Sequence, residues 1–228
     1  MRHYFLTDIK VYRQKMNRET KSHISKETII AVAVPEFSER GYKEASLNRI
    51  CINGRISKGK LYHHFKNKDE LYLSVVEESY KKLTEHLLDF KIKFHKNIED
   101  VFMDLYKWWQ AFWKMYPLYI GIFIDSRRNP PFWLREQLVE MRRDTFIKPL
   151  KLMVRDIVLY YYPEDIKLQS ILVGLFITLL DYTSTVGLSK IDIYDSSTSY
   201  LDAQVPLFKR LLLTVLYGAG DDRAKELY

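Results

Sequence analysis

Cysteine is almost absent from this chain, since Cys51 is the only one among 228 residues. One thiol cannot close an intramolecular disulfide or build a multi-cysteine metal site. Glycine and proline are also few, at 8 and 7 residues, which excludes collagen-like and low-complexity chains. The longest apolar run, around 171–180, falls short of the roughly 20 residues of a membrane span, and the first residues lack the apolar core of a signal peptide. We therefore expect a cytoplasmic protein without membrane contact.

Positive charge is concentrated in the first third of the chain. Residues 1–68 contain 15 Lys and Arg against 6 Asp and Glu, a formal charge of +9, whereas the whole chain carries +7. The remaining residues are therefore close to neutral, at −2. This division indicates a polyanion-binding head attached to a body with another task. A basic surface that is merely solvated is the alternative that composition leaves open.

Apolar residues recur at helical spacing along most of the chain, and strand-like alternation is nearly absent. Gly41 ends the first predicted helix, and proline-containing breaks at 129–131 and 162–163 separate later ones. The polar stretch 189–199 predicts a loop. Beyond the first four helices we expect helices near 98–116, 118–128, 131–160, 165–188 and 202–217.

Two short helices in the basic head have the outline of a helix-turn-helix. Ser46 is expected to cap the first of them, and Ser57 the second, across a turn that contains Gly54. With Leu61 and Phe65 buried, a helical wheel places Gly59, Lys60, His63 and Lys66 on the outer face of the second helix. Lysine and histidine there suit the edges of DNA bases, and glycine allows a close approach. A purely structural helical hairpin is the alternative.

The run "ISKGKLYHHFKNKDEL", residues 56–71, with "EFSERGY" and the Ser46–Ile50 core before it, resembles the DNA-binding domain of tetracycline-repressor (TetR) family regulators. The resemblance implies an all-α protein with a three-helix helix-turn-helix domain and a larger helical domain for ligand binding and dimerisation. The corresponding boundaries are a basic extension at 1–22, the DNA-binding domain at 23–68 and the body at 69–228. The residues that the resemblance assigns to DNA contact are Ser46, Lys58, Gly59, Lys60, Tyr62, His63 and Lys68.

Three positions depart from the family pattern. Pro35 lies inside the first helix, where we expect a kink because proline removes a backbone donor. Cys51 replaces a customary alanine. The glycine of the turn is moved forward to Gly54, so that either Arg55 adopts a strained positive φ or the turn differs slightly from the family's.

The N-terminal extension through Ser22 is rich in lysine and arginine. One interpretation is a basic arm that enters the minor groove. The alternatives are a tail that adds only general attraction to polyanions, and a misassigned start in which residues 1–15 are not native and Met16 is the first residue.

The last two long helices carry apolar stripes that predict a homodimer interface in the form of a four-helix bundle. An intrachain core is the alternative for each stripe. The predicted interface residues are Leu168, Leu172, Leu175, Leu179, Val205, Phe208, Leu212 and Val215.

A dense aromatic region in the body is interpreted either as core or as the lining of a pocket for a small apolar or aromatic effector, with a cationic group as one option. An acidic residue in such a setting needs a partner, either an arginine or a cationic ligand. The candidate lining consists of Trp109, Phe112, Trp113, Tyr116, Phe123, Asp125, Asp181 and Tyr182.

The sequence contains no G-x-S-x-G, P-loop, dinucleotide-binding or H-E-x-x-H motif, so no enzyme, metal or cofactor is predicted. We expect a regulator, most plainly a ligand-responsive repressor, that binds a pseudo-palindromic DNA operator as a homodimer. The alternative is a helical adaptor that docks an acidic partner through its basic head without preferring one DNA site.

Overall fold

The computed structural model describes residues 26–183 and 197–218, with side chains in the second range from residue 204. This part of the chain is helical and contains no strand, which confirms the all-α prediction. The extension 1–22, its Met16 alternative and most of the predicted loop at 189–199 lie outside the described residues. The chain divides into two compact units between Val75 and Val76, whereas the resemblance placed the boundary after residue 68.

The first unit contains α1 (26–44), α2 (Leu47–Asn53), α3 (Lys58–His64) and the beginning of α4 (Lys68–Leu88). Its core consists of apolar side chains that recur at helical spacing, and Ile29, Phe37, Ile50, Leu61 and Phe65 are fully buried. Gly41 adopts a φ of +67°, the left-handed conformation that marks the expected end of the first helix, although helical bonding continues to residue 44. The helix passes through Pro35, and the kink expected there stays a prediction.

The second unit contains the rest of α4 and α5 (Ile98–Met115), α6 (Pro117–Arg128), α7 (Arg135–Arg142), α8 (Lys148–Tyr161), α9 (Ile166–Thr183) and α10 (Ser197–Tyr217). Helix α9 packs against both α8 and α10, and α5 packs against α6, α8 and α10. By length and composition alone, α9 also meets the requirements of a membrane-crossing helix. Helix α10 begins five residues earlier than predicted, because residues 197–199 are helical and not part of a loop.

The helix predicted at 131–160 is present as a continuous helical run over 132–161, but it is not one regular α-helix. A 3₁₀ turn at Phe132–Leu134 precedes α7, and a π-helical turn at Arg143–Ile147 separates α7 from α8. Pro149 lacks the N–H that would bond to the carbonyl of Thr145 four residues earlier. The Thr84 hydroxyl of α4 donates to that carbonyl instead, at 2.7 Å. The proline thus breaks the regular helix, and a side chain from another helix satisfies the carbonyl that it leaves unpaired.

Candidate nucleic-acid interface

Helix α3 presents a polar, basic face on a short and well-anchored element. The Ser57 side chain accepts a hydrogen bond from the Lys60 N–H at 3.2 Å, as expected of an N-cap, and Leu61 is fully buried beneath the helix. The opposite face is exposed and consists of Lys58, Gly59, Lys60, Tyr62 and His63. The structure therefore brings together on one surface five of the seven residues assigned to DNA contact.

Gly59 lies on this face with open space around it, because a Cβ added there would meet no atom within 4 Å. The absence of a side chain is thus not required by packing within the chain. It leaves the backbone of α3 accessible to an approaching phosphate or base.

The two histidines of α3 differ in their surroundings. His63 is exposed, whereas His64 is half-buried, with the two rings edge to face and their centroids 5.0 Å apart. Burial lowers the pKa of His64, and the positive charges near it, from His63, Lys60 and Lys26, lower it further. His64 therefore favours the neutral form. Among the described residues, no group of three or more potential ligands could hold a metal ion.

The turn between α2 and α3 follows the first of its two sequence-based alternatives, a strained Arg55. Arg55 has a φ of +51° and is the only described residue other than glycine with a positive φ. Gly54 has an ordinary φ of −84°, so its role is not conformational freedom. A Cβ on Gly54 would lie 2.6 Å from Cγ1 of Val32 in α1, which shows that glycine is required for close packing.

Helix α2 is held by a buried carboxylate that the sequence analysis missed. Ser46 occupies the N-cap position, but its side chain makes no capping bond, which corrects the prediction. The Ser46 N–H donates instead to Oε1 of Glu36, at 2.8 Å, and Arg49 Nε donates to the same oxygen at 2.8 Å. Although burial raises the pKa of Glu36, the bonds from Arg49 and Ser46 outweigh it, so that its pKa is lowered. The sequence signal that could have indicated this role is the position of Glu36, a glutamate among the apolar residues of α1.

Lys68, the last residue assigned to DNA contact, opens α4 in a fixed position. Its ammonium donates to the Lys43 carbonyl at 3.2 Å and lies 4.6 Å from the centre of the Tyr42 ring. The Tyr42 hydroxyl donates to Asp69, and burial together with this bond raises the pKa of Tyr42. These contacts direct Lys68 along the surface, and its bond to the Lys43 carbonyl uses one of the three donors of the Lys68 ammonium.

A capping box opens α4, with one difference from the standard motif. The Asn67 side chain accepts from the Glu70 N–H at 2.9 Å, as the motif requires. The Glu70 carboxylate accepts from the N–H of Lys66, at 2.8 Å, one residue earlier than the standard motif. Lys66 therefore lies in the connection before α4 and not on α3.

The aromatic residues predicted to line a pocket form a packed core in the second unit. Trp109, Phe112, Trp113 and Phe123 are all at most 4% exposed, and their rings contact one another at centroid distances of 4.9–6.0 Å. The void beside them has a volume of about 10 Å³, which holds at most one water molecule. The core interpretation of this cluster therefore replaces the pocket interpretation.

The remaining members of the predicted lining do not join one site. Tyr116 and Tyr182 are 38% and 51% exposed, and Asp125 is buried. Asp181 pairs with two arginines, Arg127 and Arg142, and so does not await a cationic ligand. Of the two alternatives for an acidic residue in this region, Asp181 therefore follows the arginine one.

A larger cavity of about 380 Å³ lies elsewhere in the second unit. It is within the usual size range of small-molecule sites, roughly 300–1,000 Å³. None of the eight predicted lining residues borders it. The residues that do are Tyr80, Ser126, Arg127, Arg128, Pro130, Arg135, Leu138, Val139 and Arg142.

The predicted interface stripes divide between core and surface. Leu172, Phe208 and Leu212 are at most 6% exposed within one chain, and the Phe208 ring stacks on Tyr106 at 3.8 Å, so these three cannot contact a partner. This burial corrects their assignment to the interface. The other predicted residues are partly or fully accessible, namely Leu168, Leu175, Leu179, Val205 and Val215.

Comparison with known proteins points to one family. Residues 29–75 match the family model described as bacterial regulatory proteins, tetR family. The chain is 33% identical over 85 residues to the negative transcriptional regulator IcaR of the biofilm operon icaADBC from Staphylococcus epidermidis. That match covers 36% of this chain and 44% of IcaR, so the chain spans less than half of this relative.

Solved structures extend the fold comparison to most of the chain. The regulator FadR from Bacillus subtilis, in complex with stearoyl-CoA, superposes with a TM-score of 0.62 over 84% of this chain and 98% of FadR, at 16% identity. A TetR-like regulator from Rhodococcus sp. RHA1 gives a TM-score of 0.60 over 86% of this chain and 97% of that protein, also at 16% identity. Residues 29–75, which include the exposed basic helix, thus match the DNA-binding domain of tetR-family regulatory proteins, and the fold of the chain is similar to that of solved TetR-like regulators.

Proposed function

We propose that the chain is a cytoplasmic transcriptional regulator, a repressor that binds a pseudo-palindromic DNA operator as a homodimer and releases it when a small molecule occupies the helical body. The observation that carries this proposal is the exposed face of α3. Two lysines, a tyrosine and a histidine project from a helix whose opposite side is fixed by the buried Leu61. A short helix of this kind can enter the major groove, where its side chains meet base edges.

Two kinds of DNA contact are expected from this face. Lys60 and His63 lie on the exposed face of α3, where they suit base edges. Lys68 lies outside α3 and is held by the Lys43 carbonyl, so we assign it to a phosphate. Loss of a base contact by Lys60 or His63 should therefore reduce the preference for one DNA sequence. Loss of the phosphate contact by Lys68 should reduce the affinity for every sequence.

The test compares variants on the duplex immediately upstream of the protein's own gene and on an unrelated duplex. Lys60→Ala and His63→Ala should each reduce the preference for the specific duplex by about 1–3 kcal/mol. Lys68→Ala should weaken binding to both duplexes alike and reduce the slope of log K against log salt by about 1. Lys81→Ala, on the exposed side of α4 and paired with Glu77, is the matched control and should change neither.

Uniform loss with all three variants would place base recognition elsewhere. If the unmodified protein does not distinguish the two duplexes at all, the adaptor alternative replaces the regulator, because an adaptor has no preferred DNA site.

The homodimer is proposed from the accessible side of α9. Ile171 and Tyr182 are 56% and 51% exposed, and Gly174 and Thr178 lie between them on the same face of the helix. A helix this apolar is expected to be covered by another surface, and small residues allow a second helix to approach closely. The same face of a second copy is self-complementary about a two-fold axis and would supply the second DNA-binding head.

Replacing Ile171 with glutamate tests this interface without disturbing the core of one chain. Ile171→Glu should give a folded monomer in sedimentation and lose most of the affinity for a palindromic duplex. Leu152→Glu, on α8 at a similar exposure of 52%, is the matched control and should remain dimeric. A dimeric Ile171→Glu protein would refute the α9 interface, and binding of the unmodified chain to lipid vesicles would assign this helix to a membrane instead.

A small-molecule effector is supported by the fold comparison and by the cavity. FadR from Bacillus subtilis, which has a similar fold, was crystallised in complex with stearoyl-CoA. The 380 Å³ cavity in the second unit gives this chain a place for a ligand of its own. Such a ligand causes release only if it favours one of two arrangements of the dimer over the other.

A further inference from the structure

The cavity in the second unit is lined by an unusual concentration of positive charge. Four of its nine lining residues are arginines, and none is an aspartate or glutamate. The arginines come from the end of α6 and from α7, so that two helices deliver their guanidinium groups to one space. The four arginines are Arg127, Arg128, Arg135 and Arg142.

For Arg127, Arg135 and Arg142, the described part of the chain balances only part of this charge. Arg127 and Arg142 both pair with Asp181, so one carboxylate serves two guanidinium groups. Arg135 lies with its guanidinium 6.0 Å from the centre of the Phe132 ring, a contact that supplies no negative charge. Arg127, Arg135 and Arg142 thus carry three positive charges against the one carboxylate of Asp181, an excess that attracts an anion.

The hydrogen-bonding capacity of the two paired arginines is also incomplete. Nη1 of Arg127 and Nε of Arg142 are buried and have no hydrogen-bond partner within the described part of the chain. Buried donors are normally satisfied, and a charged group without a partner is especially costly. Burial lowers the pKa of Arg127, whereas Asp181 raises it. An oxyanion of a ligand would provide the missing acceptor.

Apart from Ser126, the rest of the lining is largely apolar. Pro130, Leu138 and Val139 border the cavity together with Tyr80, whose side chain is 2% exposed. Guanidinium groups recognise carboxylates and phosphates in a bidentate manner, and the apolar residues offer contact to a hydrocarbon portion. The combination suits an amphipathic anion and disfavours a cation.

We propose that this cavity is the effector site and that its ligand is a small organic anion, with a carboxylate or phosphate held by the arginines and a hydrocarbon part against the apolar residues. The inference rests on the proposed function, which supplies the need for an effector. It replaces the sequence-based expectation of a cationic option, because Asp181 is already paired with two arginines.

The binding test uses four probes that share one hydrocarbon chain and differ in their head group. Octanoate and octyl phosphate should bind the full-length protein in calorimetry, whereas octylamine and octanol should bind at least about tenfold more weakly. Comparison of the first two distinguishes a carboxylate ligand from a phosphate ligand. Equal binding of all four, or preference for octylamine, would overturn the proposal.

Variants then locate the binding. Arg135→Gln removes one charge from the lining without changing the pairs with Asp181. It should weaken binding of the anionic probe by about tenfold. Arg143→Gln is the matched control, because Arg143 is an exposed neighbour in sequence that pairs with Asp144 and does not line the cavity. Equal weakening by both variants would show general attraction to positive charge, which contradicts a site in this cavity. Unchanged affinity in Arg135→Gln would contradict it as well.

Release of DNA is measured separately, on the duplex upstream of the protein's own gene. If the anionic probe binds the cavity and lowers DNA affinity in the unmodified chain but not in Arg135→Gln, the effector assignment is supported. If the protein binds its duplex and the bound anion leaves that affinity unchanged, the effector assignment fails while the DNA-binding function stands. If the anion binds but the protein prefers no duplex, the regulator proposal itself fails.

Discussion

The turn between α2 and α3 gives a prediction in which neighbouring substitutions act in opposite directions. Gly54→Ala should destabilise the first unit, because the new Cβ would lie 2.6 Å from Cγ1 of Val32 and 3.1 Å from the backbone oxygen of Ile50. Arg55→Gly should stabilise the same unit, because Arg55 has a φ of +51° that glycine adopts without strain.

The magnitudes follow from these two geometries. Overpacking of this kind costs about 1–3 kcal/mol, and the reduced entropy of the unfolded chain returns at most about 1 kcal/mol. A left-handed residue other than glycine costs about 1–2 kcal/mol, of which glycine's own entropy cancels about 0.5–1 kcal/mol. We therefore expect Gly54→Ala to lower the free energy of unfolding by about 1–2 kcal/mol and Arg55→Gly to raise it by about 0.5–1 kcal/mol.

Native-state hydrogen exchange at amides of α2 and α3 measures the effect on this unit alone. Gly59→Ala is the control for the first substitution, since its Cβ meets nothing within 4 Å and alanine favours a helix, which should stabilise α3 by about 0.5–1 kcal/mol. Greater protection in Gly54→Ala would refute the close approach to Val32. Lower protection in Arg55→Gly would refute the strained turn.

Two further predictions concern contacts that hold the helices. Because the pKa of Glu36 is lowered in the folded state, its contribution to stability is complete above its unfolded pKa near 4.5 and is lost as pH falls through the folded value. Glu36→Gln should therefore reduce the free energy of unfolding at pH 7 by about 1–3 kcal/mol and make stability less dependent on pH in the acid range. An unchanged pH dependence would contradict the role of this carboxylate. Thr84→Val should lower the free energy of unfolding, measured by urea titration, by about 1–3 kcal/mol because it leaves the Thr145 carbonyl unpaired. Thr84→Ser keeps the hydroxyl and should retain most of the stability. Equal loss in both variants would show that the methyl group matters and not the hydrogen bond.

The first unit was largely predictable from sequence because its signals are local. Ser57 and Asn67 cap the helices that follow them, and Leu61 marks the buried side of α3, so the exposed face follows from helical geometry. Even the positive φ of Arg55 was one of the two alternatives that followed from the position of the neighbouring glycine. The role of Glu36 was not predicted because its partners, Ser46 and Arg49, lie ten or more residues further along the chain.

The second unit was predictable in its helix content but not in its cavity. Aromatic residues at helical spacing show that a face is buried but not whether rings or a ligand cover it, and Trp109 and Phe123 are covered by other rings. The arginines of the cavity resemble solvated charges in sequence, because their convergence depends on how α6 and α7 pack. In the sequence, Phe208 fits an interface stripe as well as it fits a core stripe. Its stacking on Tyr106 in the structure shows that it belongs to the core.

Protection of DNA from nuclease digestion shows whether α3 recognises one DNA sequence over others. The duplex upstream of the protein's own gene is incubated with the protein at physiological salt and with an excess of unrelated DNA. We expect a protected region with two symmetry-related halves about one helical turn, or a multiple of it, apart, and loss of that protection in the Lys60→Ala, His63→Ala double variant. Protection that the unrelated DNA abolishes, or that the double variant retains in full, would contradict sequence-specific recognition by α3.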